Sequence, residues 1–510
     1  MTEQRLQPVE SPTTHVVGLA LMMLVPGMLF AAIIEWRSAR SDDEWALIIS
    51  AVVCLAVGAS LHRSTRLGDD IRKVSVFSIV AWTWLVSSMF GALPYLLGSM
   101  FTWGEWDSAL FESVSGFSCT GSTVLSDIEA HGRGVLMWRQ LTQWYGGMGM
   151  VVLAVTVLPY LGVGGLALMT AEAPGHSSDR LAPRVSETAR RLWLVYSGIT
   201  VAVAAAIWVL PDTSLYDGVA HGLTTAATGG FSPYNDSVGH FDSFAVELVL
   251  IVGMVICGIS FAIHYRFISG DRRSYLRSAE TRTYLLLLLS AFAITAIINW
   301  RQGLAGFATA LRDSAFTAAT LGSSTGFGNV RTDGIGNFVT WGGAAQIVLL
   351  VLMVIGGCVG STAGGSKVFR SMIGIKHLGR EMRRLRHPNG VFPIKLGRDP
   401  VPEEIVASAF GFLILFFGFV VAGTLLVAAT GSDVLTSASA SISAMSNMGP
   451  ALGEAGPTAN FLVFDRPARM ILAALMLIGR LEIYAVMLML ASSARHYRRA
   501  HRSVLAKTRS

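Results

Sequence analysis

The chain has 510 residues, of which 52% are hydrophobic and only 14% are charged, and its mean hydropathy is +0.54. Soluble proteins carry about 25% charged residues, so this chain has too few charges to cover a surface in water and is expected to lie in a membrane. Its net charge of +6 is explained by basic cytoplasmic segments, and no nucleic-acid partner is expected. The four cysteines are isolated in apolar segments and indicate neither a disulfide scaffold nor a zinc site.

Apolar segments of about 20 residues predict helices that cross a bilayer. The first two occupy 15–36 and 44–62, and the first lacks a strongly basic start and a cleavage site, so we expect it to be retained. After Arg63 a unit begins that consists of a spanning segment, a short helix, a Gly/Ser/Thr cluster and a second spanning segment. Four copies are predicted, and their spanning segments lie at 75–97 and 135–160, 191–210 and 243–268, 283–300 and from 337, and 404–429 and 467–493.

The repeated unit predicts an all-α integral membrane protein with four pseudo-symmetric helix–pore loop–helix modules around a central pore and two N-terminal transmembrane helices. The glycines placed in register lie about 100 residues apart, which is too long for a solenoid repeat. They are Gly121, Gly229, Gly326 and Gly449. The expected divisions are an N-terminal helix pair at 1–70, pore modules at 71–165, 185–270, 280–375 and 400–495, and a basic cytoplasmic tail at 496–510.

Loop charges predict the orientation, because Lys and Arg are enriched in cytoplasmic segments. The segments after the second span and after the first and second modules are basic, as are the connection 370–398 and the C-terminal tail. The intervening segments carry Asp and Glu with few basic residues. We therefore expect both termini in the cytoplasm and all four short helices entering from outside.

The Gly/Ser/Thr clusters after the four short helices are the candidate functional segments. Non-helical backbone is tolerated at membrane depth only where it is packed in protein or lines a watery cavity, so four such segments on one side predict an aqueous pathway. Glycine permits the dihedral angles that turn carbonyl oxygens toward an ion, and the C-terminal ends of short helices favour a cation. Ordinary turns between helices also contain Gly and Thr, but four clusters in register favour a selectivity filter.

Six segments resemble the Trk/Ktr/HKT superfamily of potassium transporters, and the two N-terminal spans resemble its Trk branch. The segments are SGFSCTGSTV (115–124), TAATGGFSPYND (225–236), STGFGNVRTD (324–333), GGCVGSTAGGSKVFR (356–370), SNMGPALG (446–453) and GRLEIYAVML (479–488). The resemblance implies a pore-forming subunit for potassium uptake across the bacterial inner membrane, with K⁺ as the transported and bound ion and no covalent cofactor. It also implies a homodimer and a cytosolic nucleotide-binding regulatory subunit that forms a ring.

The same resemblance implies a potassium-binding filter made by nine residues of the four clusters. They are Thr120, Gly121, Thr228, Gly229, Thr325, Gly326, Asn447, Met448 and Gly449. Some plant relatives that prefer sodium carry serine at the first-loop glycine, so Gly121 favours potassium. The fourth loop departs from the Thr-Gly pattern at Met448, which predicts an asymmetric filter.

The segment 337–373 would be about 55 Å long as one helix, nearly twice the bilayer core, and GGCVGSTAGGSK at 356–367 interrupts it. In the family that the chain resembles, this piece forms an intramembrane gate below the filter. The implied gate residues are Gly356, Gly357, Gly360, Ser361, Thr362, Gly364, Gly365, Lys367 and Arg480. Glycines that let helices pack closely are the alternative, whereas a phosphate-binding loop is disfavoured because the lysine follows the serine.

Arg480 lies in the middle of the last spanning segment, where a charge is costly unless it faces a cavity or a partner. In the related family an arginine at this position narrows the pathway below the filter. An ion pair with Glu482 or Glu247 is the alternative. Four polar residues could brace the filter from behind, but structural roles are expected for all of them: Glu112, Gln143, His221 and Gln346.

A channel-like pore has two alternatives, a coupled symporter and a membrane enzyme. A proton- or sodium-coupled potassium symporter is typically built from inverted repeats with acids inside the membrane, whereas these repeats share one orientation and the acids cluster in outer loops. A membrane enzyme would need a convergent catalytic site, and the scattered histidines form no such motif, so no enzymatic activity is expected. The basic connection and tail are expected to contact membrane lipid or the regulatory subunit.

Overall fold

The computed structural model describes residues 9–38, 43–66, 73–156, 181–331, 334–397, 399–484 and 486–487. In this part of the chain the secondary structure is helical apart from two pairs of two-residue strands. The predicted all-α class is therefore confirmed. The predicted tail at 496–510 lies outside the described residues. So do parts of the loops whose charges predict the orientation, including the basic Arg72 and Arg180 and the acidic Asp333.

Two helices and two short strands form the N-terminal part of the described chain. They are α1 (Pro12–Ser38), α2 (Glu44–Ser64), β1 (Val9–Glu10) and β2 (Thr65–Arg66). The two strands pair in parallel. The helices cross closely because glycine lies on both sides of the contact: a Cβ at Gly18 would lie 2.7 Å from the carbonyl oxygen of Gly58.

Each of the next four modules contains a long helix, a short helix and a second long segment. The first module contains α3 (Lys73–Gly91), α4 (Leu93–Leu97), α5 (Trp106–Phe117) and α6 (Arg133–Thr156). The second contains α7 (Leu181–Trp208), α8 (Leu215–Ala227), α9 (Phe244–Cys257) and α10 (Phe261–Ile268).

The last two modules follow the same order. The third contains α11 (Ser274–Arg277), α12 (Ala279–Arg301), α13 (Phe307–Gly322), α14 (Gly343–Ile355) and α15 (Val368–Arg386). Strands β3 (Lys395–Leu396) and β4 (Asp399–Pro400) pair in antiparallel fashion in the connection. The fourth module contains α16 (Glu403–Ala428), α17 (Val434–Ser446) and α18 (Arg466–Arg480).

Within the part of the chain that the structure describes, six helices are long and apolar enough to cross a membrane, judged by length and composition. These segments are Pro12–Ser38, Glu44–Ser64, Phe77–Leu97, Glu187–Trp208, Ala279–Arg301 and Glu403–Ala428. Helices α9 and α10 form a further candidate that is broken by a bend of 98°. Helix α14 has 13 residues, about 20 Å, so the long predicted span from residue 337 is broken, as its glycines indicate.

The four pore helices α5, α8, α13 and α17 are mostly buried, with exposed residues only in their first turns, although they are rich in Ser, Thr, Ala and Gly. A helix that is buried on all sides belongs in the centre of a bundle, and small side chains let neighbouring helices approach. Two of them start with a side-chain cap. Ser214 and Asp217 form a capping box on α8, and Asp433 accepts hydrogen bonds from the amides of Leu435 and Thr436 on α17.

The N-terminal pair also supports the first module. The buried carboxylate of Glu35 on α1 accepts hydrogen bonds from the amides of Gly134 and Val135 at the start of α6. A carboxylate at this end of a helix satisfies amides that have no partner within the helix and interacts favourably with the helix dipole. Helix α1 therefore helps to fix the position of α6, which runs beside the first pore helix.

Candidate ion pathway

The four pore helices end with the same backbone hydrogen bonds. At the end of α5 the amide of Cys119 donates to the carbonyl of Gly116, and the amide of Thr120 donates to the carbonyl of Ser115, each at 2.9 Å. This pair of bonds is a Schellman motif, in which one residue takes the left-handed conformation. That residue has a φ between 50° and 56° in every loop, and it is Cys119, Thr228, Ser324 or Asn447.

A glycine with a φ between 78° and 100° follows two residues later in every loop. These ring glycines are Gly121, Gly230, Gly326 and Gly449. The alignment from the sequence was therefore wrong by one residue in the second loop, where Gly230 and not Gly229 corresponds to Gly121. Because two glycines are adjacent, the sequence alone is compatible with either register. The left-handed residue Thr228 fixes the register, since the ring glycine lies two residues after the left-handed residue in every loop. Gly230 is therefore a ring residue that was not among the predicted filter residues, and the Gly-Gly doublet was its signal in the sequence.

The loops form a closed ring, because each ring glycine lies against the carbonyl oxygen of the next loop. The residue pairs in contact are Gly121 with Gly229, Gly230 with Thr325, Gly326 with Met448, and Gly449 with Thr120. At the last of these, a Cβ on Gly449 would lie 2.9 Å from the carbonyl oxygen of Thr120, and at the other three it would collide with that oxygen. Glycine is therefore required here both by φ and by space.

The side chains around the ring differ between modules. Hydroxyl groups pair in the first loop, Ser118 with Thr120 at 2.7 Å, and the corresponding Ser323 and Thr325 pair at the same distance in the third. The fourth loop has Met448 at the matching position, and the second has glycine. The amide of Asn447 donates to the hydroxyl of Thr120 at 3.1 Å and links the fourth loop to the first. The ring is thus pseudo-symmetric in backbone and asymmetric in side chains.

A polar cavity of about 170 Å³ opens on one side of the ring, and all four ring glycines line it. Asn235 at its edge donates a 2.9 Å hydrogen bond to Asp127. This hydrogen bond lowers the pKa of the exposed Asp127 carboxyl. Asp127 therefore keeps a negative charge near the edge of the polar cavity. Among the residues that the structure describes, no cluster of three or more His, Cys, Asp or Glu side chains is placed to hold a metal ion.

The 356–367 loop packs against the ends of three pore helices. The hydroxyl of Thr362 donates to the carbonyl of Ala226 at 2.9 Å, and the amide of Gly365 donates to the carbonyl of Ser446 at 2.9 Å. The amide of Gly364 donates to the hydroxyl of Ser324. These contacts involve residues before the ring glycines, whereas the polar cavity is lined by residues at and after them. The ring therefore lies between the loop and the cavity.

The loop is compact and buried. Positive φ values occur at Gly356, Gly360, Gly365 and Lys367. A Cβ at Gly364 would collide with the carbonyl oxygen of Ser446, and one at Gly357 would collide with Ala363. The hydroxyl of Ser361 donates to the carbonyl of Cys358 within the loop. The glycines therefore serve this loop fold and its contact with the pore helices, rather than packing between two continuous helices.

Arg480 completes this layer from the fourth module. Its guanidinium donates to the carbonyl of Thr362 at 2.8 Å, to the thiol of Cys119 at 3.0 Å and to the carbonyl of Gly146 at 3.1 Å. Together, the 356–367 loop and Arg480 contact the ends of all four pore helices. This arrangement places the predicted gate residues directly beside the predicted filter residues.

The acids that the sequence offered as ion-pair partners of Arg480 bind other residues. Glu482 pairs with Arg370, and Glu247 pairs with Arg312 and Arg331. The three hydrogen bonds of Arg480 have uncharged acceptors, so the ion-pair alternative is wrong for these two acids. A charged side chain inside a membrane protein is costly unless it faces a partner or a cavity, and here the partners of Arg480 are two carbonyl groups and a thiol.

Two polar side chains on the pore helices support the loops from behind. The carboxylate of Glu112 accepts a 3.0 Å hydrogen bond from the amide of Val124 and pairs with Arg139 at 2.6 Å. His221 lies 3.1 Å from the hydroxyl of Ser232. In both cases a pore helix holds the part of its own loop that follows the ring glycine. Gln346 instead donates to the carbonyl of Val339, at 2.7 Å and in another segment.

Comparison with known proteins shows similarity along nearly the whole chain. The family model TrkH, described as "Cation transport protein", matches residues 45–497. The Trk system potassium uptake protein TrkH of Halomonas elongata is 36% identical over 488 residues, which are 93% of this chain and 97% of that protein. The protein of the same name from Escherichia coli K12 is 34% identical over 485 residues, and the match again covers 93% of this chain and 97% of that protein.

A solved structure agrees with the fold as well. The crystal structure of the potassium transporter TrkH from Vibrio parahaemolyticus superposes with a TM-score of 0.84 at 30% sequence identity, and the match covers 94% of this chain and 97% of that one. Family membership and fold therefore agree with the four-module architecture described above. The chain belongs to the TrkH family of cation transport proteins.

Proposed function

We propose that this chain takes up potassium through a central pore with a selectivity filter of backbone carbonyl groups. The closed ring of four loops is the observation on which this depends, because it places four carbonyl oxygens against four glycines with no space for side chains between them. A ring of carbonyl oxygens can replace the hydration shell of an alkali ion without adding a fixed charge. The similar proteins from Halomonas elongata and Escherichia coli are named potassium uptake proteins.

The proposed filter contains the nine residues expected from the sequence and adds Gly230. Thr120, Gly229, Thr325 and Met448 contribute the carbonyl groups that lie against the ring glycines. The left-handed residues Thr228 and Asn447 hold the loops at the ends of their helices. Met448 in place of threonine makes the fourth side of the filter different from the first and third.

The proposed gate is the 356–367 loop together with Arg480. The loop contacts pore helices two, three and four, and Arg480 contacts the first, so the two together cover the ends of all four helices. The charge of Arg480 repels cations that would otherwise stay below the filter. Opening then requires the loop to move and the hydrogen bond between Arg480 and Thr362 to break.

The filter is tested by replacing Gly121 with serine in purified protein reconstituted into liposomes. Because the added side chain would collide with the carbonyl oxygen of Gly229, we expect the potassium-to-sodium permeability ratio to fall about tenfold, or 1.4 kcal/mol. Gly418→Ser is the matched control, since a Cβ at Gly418 meets no atom within 4 Å. An unchanged ratio in a folded Gly121→Ser protein contradicts the filter.

A channel-like mechanism is proposed over coupled symport, and reversal potentials separate the two. A potential that follows the potassium gradient alone supports a channel. A shift with pH or with sodium at fixed potassium supports coupling. The control is the same measurement on liposomes that contain no protein.

We also propose the surroundings expected from the sequence. In this proposal the protein lies in the bacterial inner membrane, and both of its termini are in the cytoplasm. It forms a homodimer that contacts membrane lipid. The relatives are named as members of a Trk system, and the proposed partner is a cytosolic nucleotide-binding regulatory subunit. Cross-linking of cysteine pairs in whole cells tests the dimer, and labelling of residues at the two ends tests the orientation.

A further inference from the structure

The position just before the ring glycine carries a side chain in three loops and none in the second. It is occupied by Thr120, Thr325 and Met448 in the first, third and fourth loops and by Gly229 in the second. Gly229 is not among the glycines with positive φ, so the backbone conformation does not require glycine there. Another feature of the structure must explain its presence.

The side-chain amide of Gln143 occupies the space beside Gly229. A Cβ at Gly229 would lie 2.8 Å from Nε2 of Gln143 and would collide with the rest of the amide. Gln143 belongs to α6 of the first module and is fully buried. A side chain from one module therefore replaces the missing side chain in the loop of the next module.

The amide of Gln143 makes two hydrogen bonds that flank Gly230. Its Nε2 donates to the carbonyl of Gly229 at 2.6 Å, and its Oε1 accepts from the amide of Phe231 at 3.1 Å. The backbone carbonyl of Gln143 also accepts a 3.1 Å hydrogen bond from the thiol of Cys119. A single residue thus holds the second loop on both sides of its ring glycine and contacts the end of the first pore helix.

We propose that Gln143 is a positioning residue that sets the discrimination of the filter between potassium and sodium. The inference rests on the proposed function of the ring as a filter. The carbonyl of Gly229 lies against Gly121, and the bond from Nε2 fixes its direction while leaving a second lone pair for an ion. Without that donor the carbonyl is free to turn, so the ring loses the fixed size that favours the larger ion.

Two substitutions of Gln143 separate its hydrogen bonds from its volume. Gln143→Leu keeps a side chain of similar size and removes both bonds, and Gln143→Glu keeps an acceptor for Phe231 but replaces the donor to Gly229. We expect both to lower the potassium-to-sodium permeability ratio in liposomes about tenfold. Gln346→Leu is the matched control, because Gln346 donates to Val339 away from the ring, and its ratio should stay unchanged.

The outcomes distinguish this inference from the proposed filter itself. Unchanged ratios for both Gln143 variants, beside a Gly121→Ser protein whose ratio falls, overturn the role of Gln143 and leave the filter intact. Unchanged ratios for Gly121→Ser as well refute the filter. Ratios that fall for Gln143 and Gly121 variants but not for Gln346→Leu support both.

A second experiment does not depend on transport. Gly229→Thr gives the second loop the side chain of loops one and three, but it collides with Gln143, so we expect little monodisperse protein on size-exclusion chromatography. Gly229→Thr combined with Gln143→Ala removes the collision and should restore monodisperse protein. A double variant no better than Gly229→Thr alone overturns the proposed replacement of one side chain by the other.

Discussion

The guanidinium of Arg480 donates a 3.0 Å hydrogen bond to the thiol of Cys119, the left-handed residue that ends the first pore helix. The same guanidinium donates to the carbonyl of Thr362 in the 356–367 loop. Three segments that are far apart in the sequence therefore meet at one side chain. The loop can leave this position only if the bond to Thr362 breaks.

Replacement of Arg480 by alanine is expected to raise potassium flux several-fold in liposomes without a regulatory subunit. The substitution removes a buried positive charge and the three hydrogen bonds that hold the layer together. Flux is measured with a potassium-selective electrode at matched protein content. Arg301→Ala is the control because Arg301 is exposed at the end of α12. A lower melting temperature with wild-type flux would favour a purely structural role.

Replacement of Gly364 by alanine is expected to displace the 356–367 loop from the fourth pore helix. The new methyl group would collide with the carbonyl oxygen of Ser446, so the closed arrangement loses stability relative to an open one. The measurement is again flux, which should rise several-fold. Gly379→Ala on α15 adds the same group where it meets no atom within 4 Å and should leave flux unchanged. Wild-type flux in folded Gly364→Ala protein would show that this contact does not hold the gate.

Glu280 is expected to stabilise the 356–367 loop from outside it. An oxygen of its half-buried carboxylate accepts hydrogen bonds from the amides of Val359 at 2.7 Å and Phe369 at 3.2 Å, which lie in the loop and just after it. Glu280→Ala leaves two buried amides without this acceptor, each costing about 1–3 kcal/mol. We expect a clear fall in melting temperature and increased flux. Glu280→Gln retains one carbonyl oxygen as an acceptor, so its melting temperature and its flux should be close to those of the wild-type protein.

The matched control for Glu280 is Glu404→Ala, which removes an exposed carboxylate at the start of α16. Melting temperature is measured in detergent by loss of monodisperse protein on heating. If Glu280→Gln behaves like Glu280→Ala, the negative charge matters rather than the hydrogen bonds. If neither substitution changes the melting temperature, the carboxylate does not stabilise the loop.

The modules were predictable because their signal is long and repeated. Apolar length identifies α12 and α16 without reference to any neighbour, and the glycines of 356–367 correctly predict that the segment before α15 is broken. Four clusters after four short helices predict the pore loops. Each of these inferences depends on the local sequence alone.

The register of the second loop was not predictable in the same way. Gly229 and Gly230 are equivalent by composition, and the choice between them depends on which residue ends the helix in the left-handed conformation. The partners of Arg480 were missed because carbonyl oxygens have no signature in the sequence. Gln143 lies 86 residues before the carbonyl group to which it donates, so its contact becomes visible only when the modules are assembled.

The contacts of the glycine ring all run in one direction, from each module to the next and from the fourth back to the first. A module transplanted from a relative would therefore have a non-native neighbour on each side. One neighbour supplies the carbonyl oxygen that contacts the ring glycine of the module, and the other supplies the ring glycine that contacts its carbonyl oxygen. Exchange of the second module would in addition separate Gly229 from Gln143. Sequence changes in one of the four modules are thus constrained to occur together with compensating changes in the neighbouring modules. Chimaeras should therefore tolerate exchange of the N-terminal helix pair better than exchange of any single pore module.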